Sequence, residues 1–362
     1  MCNLCDTQLR PEALDAFGNQ FLTILNHAAV AQMISVGHRV GLFSTMHRTG
    51  AVSSGELADA ANLHERYVRE WLGAMAAGGI VEVDPTGTIY TLPPVHAAML
   101  APEGDGECLA HLAQYISMFG LNEERLIKCF QQGGGVPYEA FPRFHQMMAE
   151  DSGQTVVEPL FEHLLPLDPQ IGDQLEAGIE VLDVGCGRGR ALLAMAERFP
   201  HSRFTGLDLS GAAIDWARAR ARERGLGNIR FQQQDLTSFD LDAPSEAFDM
   251  ITAFDAIHDQ ARPDRVLAGI RRALRPGGLF FMQDIGASSN VAENLDHPLG
   301  PLLYYLSCSH CMTVSLAQGG LGVGAMWGEE LTCQFLNEAG FQRIARHQLD
   351  HDPQNYYYTM RV

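Results

Sequence analysis

Val181-Leu182-Asp183-Val184-Gly185-Cys186-Gly187-Arg188-Gly189 decides the reading of this 362-residue chain. Three apolar residues surround an aspartate, as in a buried strand, and lead into a turn with glycine at alternate positions. A helical pattern follows over 191–199. Glycines in such a turn let the backbone bend tightly and come close to a ligand, and the ligand then sits over the carboxyl ends of the strands. The spacing is not the dinucleotide pattern G-x-G-x-x-G, and Asp183 faces a cation better than a phosphate.

Downstream the rhythm alternates. Strands are predicted at 180–184, 203–208, 229–233, 248–254, 279–284, 342–348 and 356–361, with helices at 191–199, 212–224, 264–274 and 329–339. Alternating units of this length imply an α/β fold with an open parallel sheet. A short turn at 350–354 makes the seventh strand antiparallel to its neighbour. Upstream, Ala13, Leu14, Phe17, Phe21, Leu22, Leu25, Ala29 and Met33 recur at helical spacing, with breaks near Gly37 and Gly41. Ser53-Ser54-Gly55-Glu56 reads as a helix start, 64–77 as a second helix ended by Gly78-Gly79, and 80–83 with 89–92 as a hairpin. Helix, turn, helix, hairpin is the mainly helical winged-helix arrangement. Residues 105–165 read as helical, interrupted by Gly133-Gly134-Gly135, and Pro166 and Pro169 mark a boundary. The expected organisation is 10–104 for the winged helix, 105–168 for a helical linker and lid, and 169–362 for the sheet domain.

The formal charge is −19 and Lys128 is the only lysine. Arg218, Arg220, Arg222 and Arg224 form the one arginine cluster, broken by Glu223, and read as a solvated helix face. So acidic a chain repels a phosphate backbone, so no nucleic-acid partner is expected. No apolar run approaches the length of a membrane span, and residues 1–10 are polar, which points to a cytoplasmic protein. Eight cysteines do not make a disulfide scaffold at this length.

Three further elements complete the ligand site. Asp208 ends the second strand, where a carboxylate can accept both hydroxyls of a ribose. Asp235 follows the third strand and can accept from an adenine amino group. Leu274-Arg275-Pro276-Gly277-Gly278-Leu279 turns from a helix into a strand. Together with the glycine turn, these elements resemble those of the class I S-adenosylmethionine-dependent methyltransferases. The resemblance implies a seven-stranded Rossmann-like sheet. It implies S-adenosylmethionine as cofactor, with Asp183, Gly185 and Gly187 at the methionine, Asp208 at the ribose and Asp235 at the adenine. Cys186, Leu209, Leu236 and Phe254 complete the expected cofactor contacts.

Methyl transfer to a hydroxyl or thiol needs a base near the displaced proton, and histidine suits neutral pH. Ala256-Ile257-His258-Asp259 follows the fourth strand and resembles the catalytic stretch of plant caffeate-type O-methyltransferases, although Gln260 stands where that group often has tryptophan. The resemblance implies His258, with Asp259, as the general base. It also implies a homodimer paired through the winged helix. A bacterial group of winged-helix methyltransferases is resembled at 64–73 and 310–320.

The acceptor is expected to be a small molecule, methylated on oxygen or sulfur. Tyr138, Phe141 and His145, on the lid segment, and Tyr304, His310 and Trp327, on an insertion, are the candidate acceptor contacts. Cys2-x-x-Cys5 and Cys308-x-x-Cys311 have zinc-like spacing, but one pair is terminal and the other reads as helix, so no metal is expected. The alternatives are a cofactor-binding transcription regulator and a methyltransferase of macromolecules. In the helix 64–77, Glu65 and Glu70 offset Arg66 and Arg69, which argues against the regulator.

Overall fold

The computed structural model describes residues 10–103 and 108–362. Two compact units divide the chain, one ending at Ser117 and the other spanning Met118–Val362.

In the first unit, the helix Pro11–Arg39 stops before Gly41, whose positive φ of 75° starts the helix Leu42–Thr49. The helix Ser54–Ala61 begins with a capping box: the Ser53 side chain accepts from the Glu56 N–H, and Glu56 accepts from the Ser53 N–H. The helix Glu65–Ala77 packs beside it, and β1 (Glu82–Val83) pairs antiparallel with β2 (Tyr90–Thr91). Phe43, Leu57, Trp71, Leu72 and Met75 form the core. The Trp71 indole donates to the Met33 carbonyl at 2.8 Å and packs against Gly37, where a Cβ would collide with the ring. The front of the first helix is different. Leu14, Phe17, Phe21, Leu22, Ile24 and Leu25 are 50–64% exposed.

The second unit holds a seven-stranded sheet: β3 (Glu180–Val184), β4 (Arg203–Asp208), β5 (Ile229–Gln233), β6 (Phe248–Phe254), β7 (Leu274–Ile285), β8 (Ala345–Leu349) and β9 (Asp352–Arg361). The order is β5-β4-β3-β6-β7-β9-β8. The strands from β3 to β7 pair in parallel, and β9 runs antiparallel to β7 and β8. Three differences from the sequence reading are local. β9 starts at Asp352 rather than 356, because the turn after β8 is tighter than expected and Asp352 already pairs with Leu349. β7 starts at Leu274 because the Arg275–Gly278 turn is held against β6 through Phe248 and Leu274. β8 starts only at Ala345, after Arg343 takes a positive φ of 57°.

Alternating strand residues feed two cores. Val181, Phe204, Phe231, Met250, Phe281 and Tyr357 pack on one face, against Leu192, Met195 and Ile214. Leu182, Ile251, Phe280 and Tyr358 pack on the other, against Val266, Leu267 and Ile270. The chain passes from β3 outward to β5 and then crosses back to β6 on the other side of β3. The crevice for a ligand opens at that reversal. The insertion contains the helix Gly300–Leu306, a π-helical turn Ser307–Cys311 and the helix Met312–Ala317.

Gly189 and Gly73 give contrasting predictions. Gly189 has φ of 63°, and a Cβ there would strike the Phe231 ring, whereas Gly73 lies mid-helix with open space around it. Gly189→Ala should destabilise the second unit by about 1–3 kcal/mol. Gly73→Ala should stabilise the first by about 0.5–1 kcal/mol. Urea unfolding of the two variants checks both.

Candidate active site

The glycine turn bends back over β4. Gly185 and Cys186 both donate their N–H groups to the Leu207 carbonyl, each at 2.9 Å. Gly185 sits with φ of 73° against Ala256, so a side chain there would meet the chain after β6. Asp208 ties the turn down: its Oδ2 accepts from the Gly187 N–H at 2.7 Å and its Oδ1 from the Ser210 N–H at 2.8 Å. Each oxygen keeps a lone pair for a further donor. Asp235 accepts from the Thr237 N–H and hydroxyl and is exposed at the mouth. Asp183 is buried, and its Oδ1 accepts from the Thr252 hydroxyl at 2.7 Å. Burial pushes its carboxyl up to about 7, against the Thr252 hydrogen bond and helped by the nearby Asp208 charge.

These groups wall one cavity, with about 1270 Å³ of free space including its open mouth. The cofactor residues named from sequence all lie in its wall: Asp183, Gly185, Cys186, Gly187, Asp208, Leu209, Asp235, Leu236 and Phe254. Tyr138 and His145 line it too, with Phe144 and Met148 from the same segment.

The other candidates sit elsewhere. His310 and Phe141 form an aromatic cluster behind Tyr138 and Phe144: the His310 ring stacks on Phe144 at 3.9 Å and meets Phe141 edge-on at 4.7 Å. Burial pulls the His310 imidazole down to about 4. Tyr304 is half-buried and hydrogen-bonds Asn294. Trp327 is in the core, where its Nε1–H donates to Asp284 Oδ1 at 3.1 Å. Neither Tyr304 nor Trp327 reaches the cavity wall.

His258 lies one layer behind the wall, while its neighbour Asp259 lines the cavity. The His258 ring is 2% exposed. Its Nδ1–H donates to Asp284 Oδ1 at 2.7 Å, and its Nε2 is 3.4 Å from Asp259 Oδ1. Burial alone would lower its pKa, but Asp284 first, then Cys311 and Asp259, outweigh it and hold the imidazole well above its ordinary value. Asp284, Cys311 and Asp255 complete this corner, and the sequence reading did not single out Asp284 or Asp255. Their signal was a carboxylate at the end of an apolar strand, in Phe281-Met282-Gln283-Asp284 and in Thr252-Ala253-Phe254-Asp255. Asp255 holds a left-handed φ of 52°, unusual for a residue other than glycine. Of the two cysteine pairs, Cys2 and Cys5 lie outside the described residues. Cys308 is half-buried and Cys311 buried, both without a disulfide.

Residues 175–315 match the family of methyltransferase domains, and residues 28–102 match the Rv2258c-like winged HTH domain. The malonyl-(acyl-carrier protein) O-methyltransferase of Paenibacillus sp. is 32% identical over 110 residues, 30% of this chain and 40% of that protein. The fatty-acid O-methyltransferase of Mycolicibacterium smegmatis is 34% identical over 116 residues, 32% of this chain and 40% of that protein. The chain thus spans two fifths of the length of these curated relatives. Human N-acetylserotonin methyltransferase, solved in complex with S-adenosylmethionine, superposes with a TM-score of 0.65 at 16% identity, covering 95% of this chain and 97% of that one. That likeness is one of fold.

Asp183 carries a prediction about pH. Its carboxyl binds the proton more tightly folded than unfolded, so its contribution is full below its ordinary 3.8 and lost as pH rises through about 7. Asp183→Asn removes that loss and keeps an acceptor for Thr252. The ligand-free variant should therefore gain stability over the parent at pH 8 and not at pH 4, read by thermal unfolding at both.

Proposed function

We propose that this chain, whose residues 175–315 match the methyltransferase domain and residues 28–102 a winged HTH domain, transfers a methyl group from S-adenosylmethionine to an oxygen or sulfur of a small molecule. The cavity carries this reading: the glycine turn, Asp208 and Asp235 line its wall at the carboxyl ends of β3 to β5, and Asp259 lines the same wall beside the buried His258. S-adenosylmethionine supplies an electrophilic methyl on a sulfonium sulfur. Asp208 holds the ribose through its free lone pairs. Asp235 takes the adenine amino group at the mouth. Asp183 and the turn around Gly185–Gly187 face the cationic methionine end, and a cation there favours the ionised form of Asp183.

The chain's remaining task is to bring the acceptor in line with the methyl, about 3 Å away, and to remove its proton. Tyr138, Phe144, His145 and Met148 supply a largely apolar wall for a small acceptor. Asp259 lies between the cavity and the buried imidazole. His258, kept basic by Asp284 through Nδ1, receives the acceptor's proton at Nε2. That Nε2 must first be deprotonated, so turnover should rise with pH through the elevated His258 pKa. His258→Ala should abolish this limb and cut kcat about 10²–10⁴-fold while sparing cofactor affinity. Full turnover across neutral pH in that variant would remove His258 from the mechanism.

The reading is tested by incubating the chain with labelled S-adenosylmethionine and size-fractionated cell extract. Label in the small-molecule fraction supports it, and label only in protein or nucleic acid overturns it. Asp208→Ala should weaken cofactor binding at least tenfold by calorimetry, since it removes the ribose acceptor and the anchor of the glycine turn.

The chain acts as a homodimer in this reading, supported by the exposed apolar front of the helix Pro11–Arg39. Phe17→Glu with Phe21→Glu should yield a monomer by light scattering. A regulator that grips DNA is disfavoured by charge: Arg66 pairs with Glu70 and Arg69 with Glu65, and the hairpin turn 84–88 holds no basic residue. The free cysteines among the described residues accord with a cytoplasmic setting.

A further inference from the structure

The cavity has two kinds of polar wall. Among the described residues, its two arginines, Arg188 and Arg190, stand on the glycine turn and at the start of the helix that follows. The ends of β6, β7 and β9 bring Asp255, Gln283 and Asn355 to the wall instead. We propose that Asp255 and Asn355 form a subsite for a protonated amine at this end of the cavity. The amine belongs either to the acceptor or to the methionine of the cofactor. Both present the same ammonium, and the test below separates them. The subsite rests on the methyltransferase reading only for the cofactor's share.

Three observations carry it. First, Asp255 lines the cavity, and its Oδ1 has no hydrogen-bond partner. His258 Nδ1 is 3.8 Å from that oxygen, but it gives its proton to Asp284 at 2.7 Å. Second, Asn355 is 2% exposed and lines the same cavity. Its NH2 donates to the two oxygens of Asp352 at 3.1 and 2.8 Å. Its Oδ1, on the other edge of the amide, is left with no partner. A buried amide oxygen in that state calls for a donor. Third, both acceptors are held in place. Asp352 also accepts from Gln283 Nε2 at 3.2 Å and from the Tyr357 hydroxyl at 2.6 Å. The Gln283 carbonyl in turn accepts from the Asp255 N–H at 3.0 Å, which helps to keep Asp255 at its left-handed φ of 52°. The Tyr357 hydroxyl feels the charges of both Asp352 and Asp255, so the two halves of the subsite lie within electrostatic reach of one group.

Charge and hydrogen bonding select the occupant. Burial, followed by the charges of Asp284, Asp259 and Asp151 working against the pull of His258, pushes the Asp255 carboxyl up to about 7. An anion would add to that repulsion. A carbonyl or ether would leave Asn355 Oδ1 without a donor. An ammonium brings three N–H donors and one positive charge, which satisfies Asn355 and favours the ionised form of Asp255. This role leaves His258 Nε2 free to take the acceptor's proton.

The test is calorimetry on the full chain at pH 8, where Asp255 is ionised. S-adenosylhomocysteine is compared with its analogue lacking the α-amino group. Tyramine is compared with 4-ethylphenol, which lacks only the amino group. In one pair the amine-bearing member should bind at least tenfold more tightly. Asp255→Asn should cut that preference below threefold while leaving the amine-free member within twofold of its parent affinity. Asparagine tolerates the left-handed backbone, and thermal unfolding checks the fold. Should that variant misfold, Asp255→Gly, which takes positive φ freely, carries the same comparison. A preference in the first pair assigns the subsite to the cofactor's methionine, and one in the second pair assigns it to the acceptor. No preference in either pair, or a preference that survives the substitution, overturns the subsite. The tyramine pair is titrated with and without S-adenosylhomocysteine. Failure of that nucleoside to bind counts against the methyltransferase reading, while the tyramine pair still decides the subsite.

Discussion

One buried oxygen, Oδ1 of Asp284, accepts from three donors: His258 Nδ1–H, the Trp327 indole and the Ile285 N–H. Each donor belongs to a different part of the second unit. His258 follows β6, Ile285 ends β7 and Trp327 closes the insertion. A carboxylate wholly out of water is costly unless its hydrogen bonds are made. The surrounding fold is therefore constrained to deliver all three donors together, and the orientation of the His258 ring follows from that constraint. Truncating either side-chain donor leaves the buried carboxylate less satisfied.

The second constraint acts across the cavity. Asp208 holds the glycine turn to the end of β4, so the same carboxylate that would meet a ribose also fixes the loop that meets the methionine. Left-handed backbone concentrates nearby: Gly185, Gly187 and Gly189 take positive φ at no steric cost, and Asp255 takes it with strain. Such conformations persist where the packing on either side over-determines them. Here the flanking strands β3, β4 and β6 sit in the middle of the sheet and supply that packing.

What was legible in the sequence follows from this arrangement. The sheet was readable because strand and helix alternate with clear periods, and the glycine turn because its chemistry is local to nine residues. The position of His258 just after β6 was readable from sequence. Its orientation was not, because the partners that aim it come from residues 284, 311 and 327, far apart in sequence and joined only by folding. For the same reason Trp327 read as an acceptor contact but is a core residue that positions Asp284. The ends of β7 and β8 were misjudged where a turn kept strand pairing or a positive φ delayed it. The apolar stripe over 13–33 marked a helix correctly but did not reveal that its front remains exposed, since periodicity reports that a face is apolar and not what covers it.

The charge of the cavity bears on turnover in the proposed reaction. Asp183, Asp208, Asp255 and Asp259 all line it. Like charges so close raise one another's affinity for protons, as the elevated Asp183 and Asp255 carboxyls illustrate, each pushed up to about 7 with burial as the leading cause. A sulfonium cofactor relieves that repulsion when it binds. Once the methyl has left, the sulfur is neutral and the relief is gone, while the ribose and adenine contacts are unchanged. The acidic wall therefore favours substrate cofactor over product at one point only, the sulfur and its surroundings. The repulsion that makes the empty cavity costly to ionise thus also helps to expel the spent cofactor.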